Sequence, residues 1–181
     1  SVEDEIRRLT EEIERTLRRW REEVKRSEDR AEESIKRSDE KNKESKERLD
    51  KVLDEARRRR DDEEVKKVIK EVEELAEESN RRNKEVNDRL KKLLEDSKRK
   101  VEEIVRRVKK AMEDLKRLLD AGERDLRELL KEVEDVLEEL KELIKRDTEE
   151  NKRILDEHKR LTEEDEKRNR EVLERLKRKT D

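Results

Sequence analysis

The sequence predicts an all-α fold, an up-down-up antiparallel three-helix bundle of long, nearly straight helices, and three observations carry that prediction. The first is composition: 181 residues contain one Gly and no Pro, where average usage would supply about 13 and about 9. A sheet needs turn glycines and strands rich in β-branched or aromatic residues, so β and α/β folds are excluded. The second is an apolar stripe that recurs every ~3.6 residues, the period of a straight helix rather than of a heptad supercoil. The third is that the stripes of successive segments mirror one another across two breaks.

The first helix is expected over about 2–60. Its inward positions are Val2, Ile6, Leu9, Ile13, Leu17, Trp20, Val24, Ser27, Ala31, Ser34, Ser38, Asn42, Ser45, Leu49, Leu53 and Ala56. Ser1 and Asp4 supply a possible start. Arg57-Arg58-Arg59-Arg60 then runs into Asp61-Asp62-Glu63-Glu64. Cations suit a helix C-terminus and anions an N-terminus, so one helix ends and the next begins here. Asp61 and Glu64 also have capping-box spacing.

The second helix is expected over about 62–120 and stops at Asp120-Ala121-Gly122-Glu123, where the only glycine sits. The third is expected over about 123–180 and closes on Lys177-Arg178-Lys179. Residues 1–181 thus read as a single bundle.

Short turns make neighbouring helices antiparallel, so facing residues should have constant index sums, about 121 across the first turn and about 241 across the second. Ile6, Leu115 and Leu126 satisfy both, as do Leu9, Met112 and Leu129, then Ile13, Val108 and Val133. Leu17, Ile104 and Leu137 continue the series with Trp20, Val101 and Leu140. At the other end stand Leu53, Val68 and Leu173, and Ala56, Val65 and Leu176. A disordered polyampholyte or an isolated charged helix has no reason to keep such a register. Leu118, Leu130, Val136, Leu143 and Val105 widen the stripe on the second and third helices.

The middle of the chain departs from this pattern. The same sums give Ala31/Leu90/Asn151, Ser34/Asn87/Ile154, Ser38/Asn83/His158, Asn42/Ser79/Thr162, Ser45/Ala76/Asp165 and Leu49/Val72/Asn169. The layers of Ser38 and Asn42 have no apolar member. An unpaired buried hydroxyl or amide costs about 1–3 kcal/mol, so a closed polar network is one expectation. Its members would be Ser34, Ser38, Asn42, Ser45, Ser79, Asn83, Asn87, Asn151, His158 and Thr162. A water-filled, loosened segment with side chains turned outward is the other.

Charge is abundant but balanced, with 55 Lys+Arg against 58 Asp+Glu, a net of −3 and 62% charged residues. Four acidic residues follow the Arg run and no stacking aromatics accompany it, so no nucleic-acid partner is expected. No apolar run exceeds two residues, so no membrane span, signal-peptide core or other targeting signal is expected. Without Cys there is neither a disulfide framework nor a thiolate metal site. Ser38 or Thr162, His158 and Asp165 could be drawn as a catalytic set, yet continuous helix backbone provides no oxyanion donors. The expectation is no enzyme, no catalytic residue, no cofactor, no metal and no small-molecule substrate. His158 as a pH switch is the remaining chemical option.

The chain as a whole resembles computationally designed helical bundles with buried hydrogen-bond networks. The marks are the missing Pro, Cys, Phe and Tyr, a surface of Glu, Lys and Arg, equal helices and minimal turns. Glu78-Ser79-Asn80-Arg81-Arg82-Asn83 and Lys43-Glu44-Ser45-Lys46 are similar to the Ser/Asn networks of designed heterodimers and latch–cage switches. That resemblance implies a structural or association role: a monomeric scaffold whose polar segment sets helix register. The alternative is an interaction module that accepts a fourth helix or a second copy of itself.

Overall fold

The computed structural model describes all residues, 1–181, and contains three α-helices and no strand. They are α1 (Val2–Arg59), α2 (Glu63–Asp120) and α3 (Arg127–Thr180). Each is uninterrupted, including the Ser- and Asn-rich middle. Those residues compete for backbone hydrogen bonds, but here most of their side chains bond to other side chains and no Gly or Pro breaks the ladder.

The helix ends follow from local chemistry. Ser1 Oγ accepts a hydrogen bond from Asp4 N–H (3.3 Å), starting α1. Asp62, rather than Asp61, starts α2. Its Oδ1 accepts from Val65 N–H at 2.9 Å, and this bond, aided by Arg60, holds the Asp62 carboxyl below its ordinary range.

At the end of α2, Gly122 has φ 86°. Gly122 N–H donates to Leu119 C=O and Glu123 N–H to Leu118 C=O, both at 3.0 Å. This nested pair is the Schellman stop, and it requires a left-handed residue. α3 therefore begins later than the expected position near 123. Residues 123–126 cross between helices, and Leu126, 2% exposed, starts α3 by accepting from Leu130 N–H at 2.9 Å. Burying Leu126 where the chain crosses over anchors that delayed start.

The chain forms two compact units, each containing parts of all three helices. The first comprises Ser1–Asp29 with Leu93–Arg153. Its core gathers Ile6, Leu9, Ile13, Leu17 and Trp20 of α1, Val101, Val108 and Leu115 of α2, and Leu126, Val133, Leu137 and Leu140 of α3. α1 and α2 are antiparallel here, as are α2 and α3, because rising numbers on one meet falling numbers on the next. Val105, Leu130 and Val136 are buried as fully as many stripe positions, whereas Ile104 and Leu129 are only partly so. The apolar face on α2 and α3 is thus broader than one residue per turn, the usual condition for a core-facing helix.

The second unit comprises Arg30–Lys92 with Ile154–Asp181. Its apolar cluster is smaller, built from Leu49, Leu53, Ala56, Val65, Ile69, Val72 and Leu176. Ile69 is buried where the mirror sums pointed to Val68, which is only partly so. This unit holds the polar network.

Candidate functional site: a buried polar network

Three helices meet in the second unit around His158, which is 3% exposed. The side chain projects from α3 between Ser34 of α1 and Asn87 of α2. Its Nδ1 lies 2.8 Å from Ser34 Oγ, and its Nε2 lies 2.8 Å from Asn87 Oδ1. An amide oxygen only accepts, so Nε2 carries the proton and Nδ1 accepts from the Ser34 hydroxyl. Asn87 cannot turn over, because its Nδ2 donates to Asp39 Oδ1 at 3.1 Å. The imidazole is therefore neutral with both nitrogens satisfied. Burial pushes the His158 pKa below its ordinary value, and the negative charge of Asp39 opposes that shift.

The same Asp39 oxygen accepts from Asn83 Nδ2 at 3.2 Å. Asn83 Oδ1 in turn accepts from the Ser38 hydroxyl, itself 2% exposed. The whole set is one directed chain. Ser34 donates to His158, His158 to Asn87 and Asn87 to Asp39; Ser38 donates to Asn83, which also donates to Asp39. Both branches end on the carboxylate of Asp39, which is exposed to solvent. A solvated acceptor is the right terminus, since it lets every inner group be satisfied without burying a charge.

A second cluster lies toward the apolar end of this unit. Ser79, 3% exposed, has its Oγ 3.0 Å from Asp165 Oδ2 and 2.9 Å from Asn169 Oδ1. A hydroxyl has one proton, and the charged oxygen is the stronger acceptor. Asp165 therefore takes the proton, and Asn169 satisfies the same hydroxyl only with its NH2 group turned toward it. Arg82 Nη2 closes on Asp165 Oδ1 at 3.3 Å. Asn42 Nδ2 donates to Asn80 Oδ1 at 2.6 Å.

Of the residues anticipated from sequence, Ser34, Ser38, Asn83, Asn87 and His158 are joined in one chain of bonds. His158 bonds to Asn87 and Ser34 rather than to the Ser38–Asn83 pair expected at its level, because the imidazole reaches one turn along the bundle. Ser79 and Asn42 belong to separate groups. Thr162 is no part of the network: its hydroxyl donates to His158 C=O, 2.8 Å away on its own helix. Ser45 lines an open groove instead of bonding across helices. Asn151 belongs to the first unit, where its buried Oδ1 has no protein partner.

Sequence reading missed Asp39 because an exposed carboxylate among charged neighbours reads as surface. Its position beside Ser38 was the available signal. It also left Asp165, Asn169 and Asn80 out of the network. The mirror sums had placed the first two at the levels of Ser45 and Leu49, and Asn80 stood outside the stripe.

These features define an all-α three-helix bundle with a buried Ser/Asn/His hydrogen-bond network. Comparison with protein-family models, curated proteins and solved structures finds no match.

Proposed function

We propose that the chain is a computationally designed structural bundle whose polar network sets the register of its helices, and that it performs no catalysis. One observation carries this reading: the chain of bonds from Ser34 and Ser38 to Asp39 draws at least one side chain from each helix. Sliding one helix by a turn would strand several of these groups, each at about 1–3 kcal/mol. Apolar layers tolerate such a slip far better. Composition supports the designed origin, with 62% charged residues, no Pro, Cys, Phe or Tyr, and helices of 58, 58 and 54 residues.

Ser34, His158 and Asn87 stand in the order nucleophile, base, orienter. Their surroundings favour the structural reading, because the flanking backbone N–H groups are bonded within helices and leave no donors for an oxyanion.

The experiment replaces Ser34 and Ser38 by Ala and Asn83, Asn87 and His158 by Leu, with spin labels at exposed Glu44 and Glu163. The expected result is one narrow distance distribution in the parent and a broadened or multiple one in the apolar variant. Identical narrow distributions in both would overturn the register role.

A groove in the second unit favours the alternative, an interaction module. It measures about 480 Å³, and Leu49, Leu53, Leu75, Ala76 and Val172 contribute its apolar lining. Leu75, 37% exposed, is the one large apolar side chain exposed on the surface. On the scaffold reading the solution mass is that of one chain, 22.3 kDa. A dimer that Leu75→Glu dissociates would support the module instead.

A further inference from the structure

The groove of the second unit owes its shape to small side chains. Ser45 and Ala76 share one level of the mirror register, Asn42 and Ser79 the next, and all four line the groove. Farther along α1 the same stripe carries Leu49 and Leu53, 9% and 4% exposed, which fill their levels. Close packing needs side-chain volume at every level. Where Ser and Ala stand instead, α1 and α2 leave a groove of about 480 Å³, floored by Asn169 and Val172 of α3.

Three properties of the groove select its occupant. The first is size: the volume falls among small-molecule sites, about 300–1,000 Å³. The second is the pattern of apolar wall on α2, which consists of Leu75 and Ala76 alone. Adjacent residues do not form the row at i, i+4 and i+7 against which a fourth helix would pack. The third is charge. Asp50, Asp54, Glu73 and Glu77 line the groove against Lys46 and Arg57. Arg57 is engaged by Asp54 and Glu73, which leaves Lys46 alone to offset Asp50 and Glu77. A second copy docked here about a twofold axis would bring these carboxylates against their own counterparts.

We propose that the groove binds a small amphiphilic cation, an ammonium or amidinium group carried on a compact hydrocarbon body. The body covers Leu75, the one exposed large apolar side chain, together with Ala76 and Val172. Removing that apolar surface from water drives binding. The carboxylates of Asp50 and Glu77 then favour a cation over an anion of the same shape. This goes beyond the scaffold reading and does not rest on it, since neither the register role nor a designed origin enters the argument.

Adamantan-1-amine and adamantane-1-carboxylate are matched probes, with one hydrocarbon cage and opposite charge. Each is titrated into the folded full chain at neutral pH while backbone amide shifts are followed by NMR. The expected result is saturable shifts from the amine, confined to the lining segments 42–57 and 73–80 and the neighbourhood of Val172. The carboxylate should bind about tenfold more weakly, as two partly screened charges allow. Asp50→Asn with Glu77→Gln, both at exposed positions, should bring the two probes to within about twofold of each other. Ala76→Leu fills the open level and should abolish saturable binding; Ser45→Leu fills it from α1 if the first variant does not fold. Equal affinity for both probes in the parent overturns the proposal, as do shifts scattered over the charged surface of all three helices. So does amine binding that the level-filling variant leaves unchanged, or a dimer that covers Leu75.

Discussion

At the scale of single residues, the network behaves as a set of obligations rather than a source of net stability. His158 serves two partners at once. Truncation to Ala strands the Ser34 hydroxyl and the Asn87 amide oxygen and opens a cavity, so His158→Ala should cost about 2–4 kcal/mol in denaturant unfolding. Removing a matched pair is different. Ser38→Ala with Asn83→Leu deletes donor and acceptor together and keeps the volume, while Asp39 turns to water at the surface. That double substitution should leave the midpoint unchanged or raise it by about 1–2 kcal/mol equivalent. Loss of more than ~1 kcal/mol would show that these bonds contribute beyond what apolar packing replaces. The surface ion pairs weigh less. Even the contact between Lys141 and Glu12, which lowers the Glu12 pKa and raises that of Lys141, joins groups that stay about one-third exposed to screening solvent.

At the scale of the element, the helices are legible because one period runs through each of them, and the ends are less so because they depend on a few hydrogen bonds. Gly122 was recognisable as a stop, but the late start of α3 was not, since nothing in Glu123-Arg124-Asp125 forbids helix. That start is set by burial of Leu126 once the chain has turned. The cap at Asp62 rather than Asp61 is of the same kind: two adjacent aspartates satisfy the pattern, and only the approach of Val65 N–H chooses. The network residues were legible as a polar level, whereas their pairing depended on side-chain reach. An imidazole spans farther than a hydroxyl, which is why His158 found Asn87. The glycine stop permits a clean test. A Cβ at Gly122 meets nothing within 4 Å, so the cost of Gly122→Ala is the backbone cost alone. It should destabilise the protein by about 1–2 kcal/mol, the penalty of a left-handed non-glycine residue. A neutral result would mean that the turn relaxes to another conformation.

For the molecule as a whole, charge is so nearly balanced, 55 cations against 58 anions, that pH acts chiefly through the few groups whose environment changes on folding. His158 and Asp147 are the two that burial shifts, and they pull in opposite directions. The folded His158 pKa lies below the ordinary 6.5, so between the two values the unfolded chain binds more protons. Stability therefore rises with pH across that window, is complete above about 6.5, and is lost as pH falls through the folded value. The folded Asp147 pKa lies above 3.8, so there the native state binds more protons. Its contribution is complete below the unfolded value and is lost as pH rises through the folded one. Glu12 and Lys141, held the usual way by their mutual contact, add stability that fades below the carboxylate range and above the lysine range respectively. Denaturant midpoints measured against pH should then show a limb that climbs toward pH 6.5, and His158→Gln should flatten that limb while leaving the rest in place. Asp147→Asn should remove a loss of stability that sets in just above the ordinary aspartate range and leave the His158 limb intact. If a single substitution flattened both limbs, the two shifts would share one cause, and the separate burial of an imidazole and a carboxylate would not explain the profile.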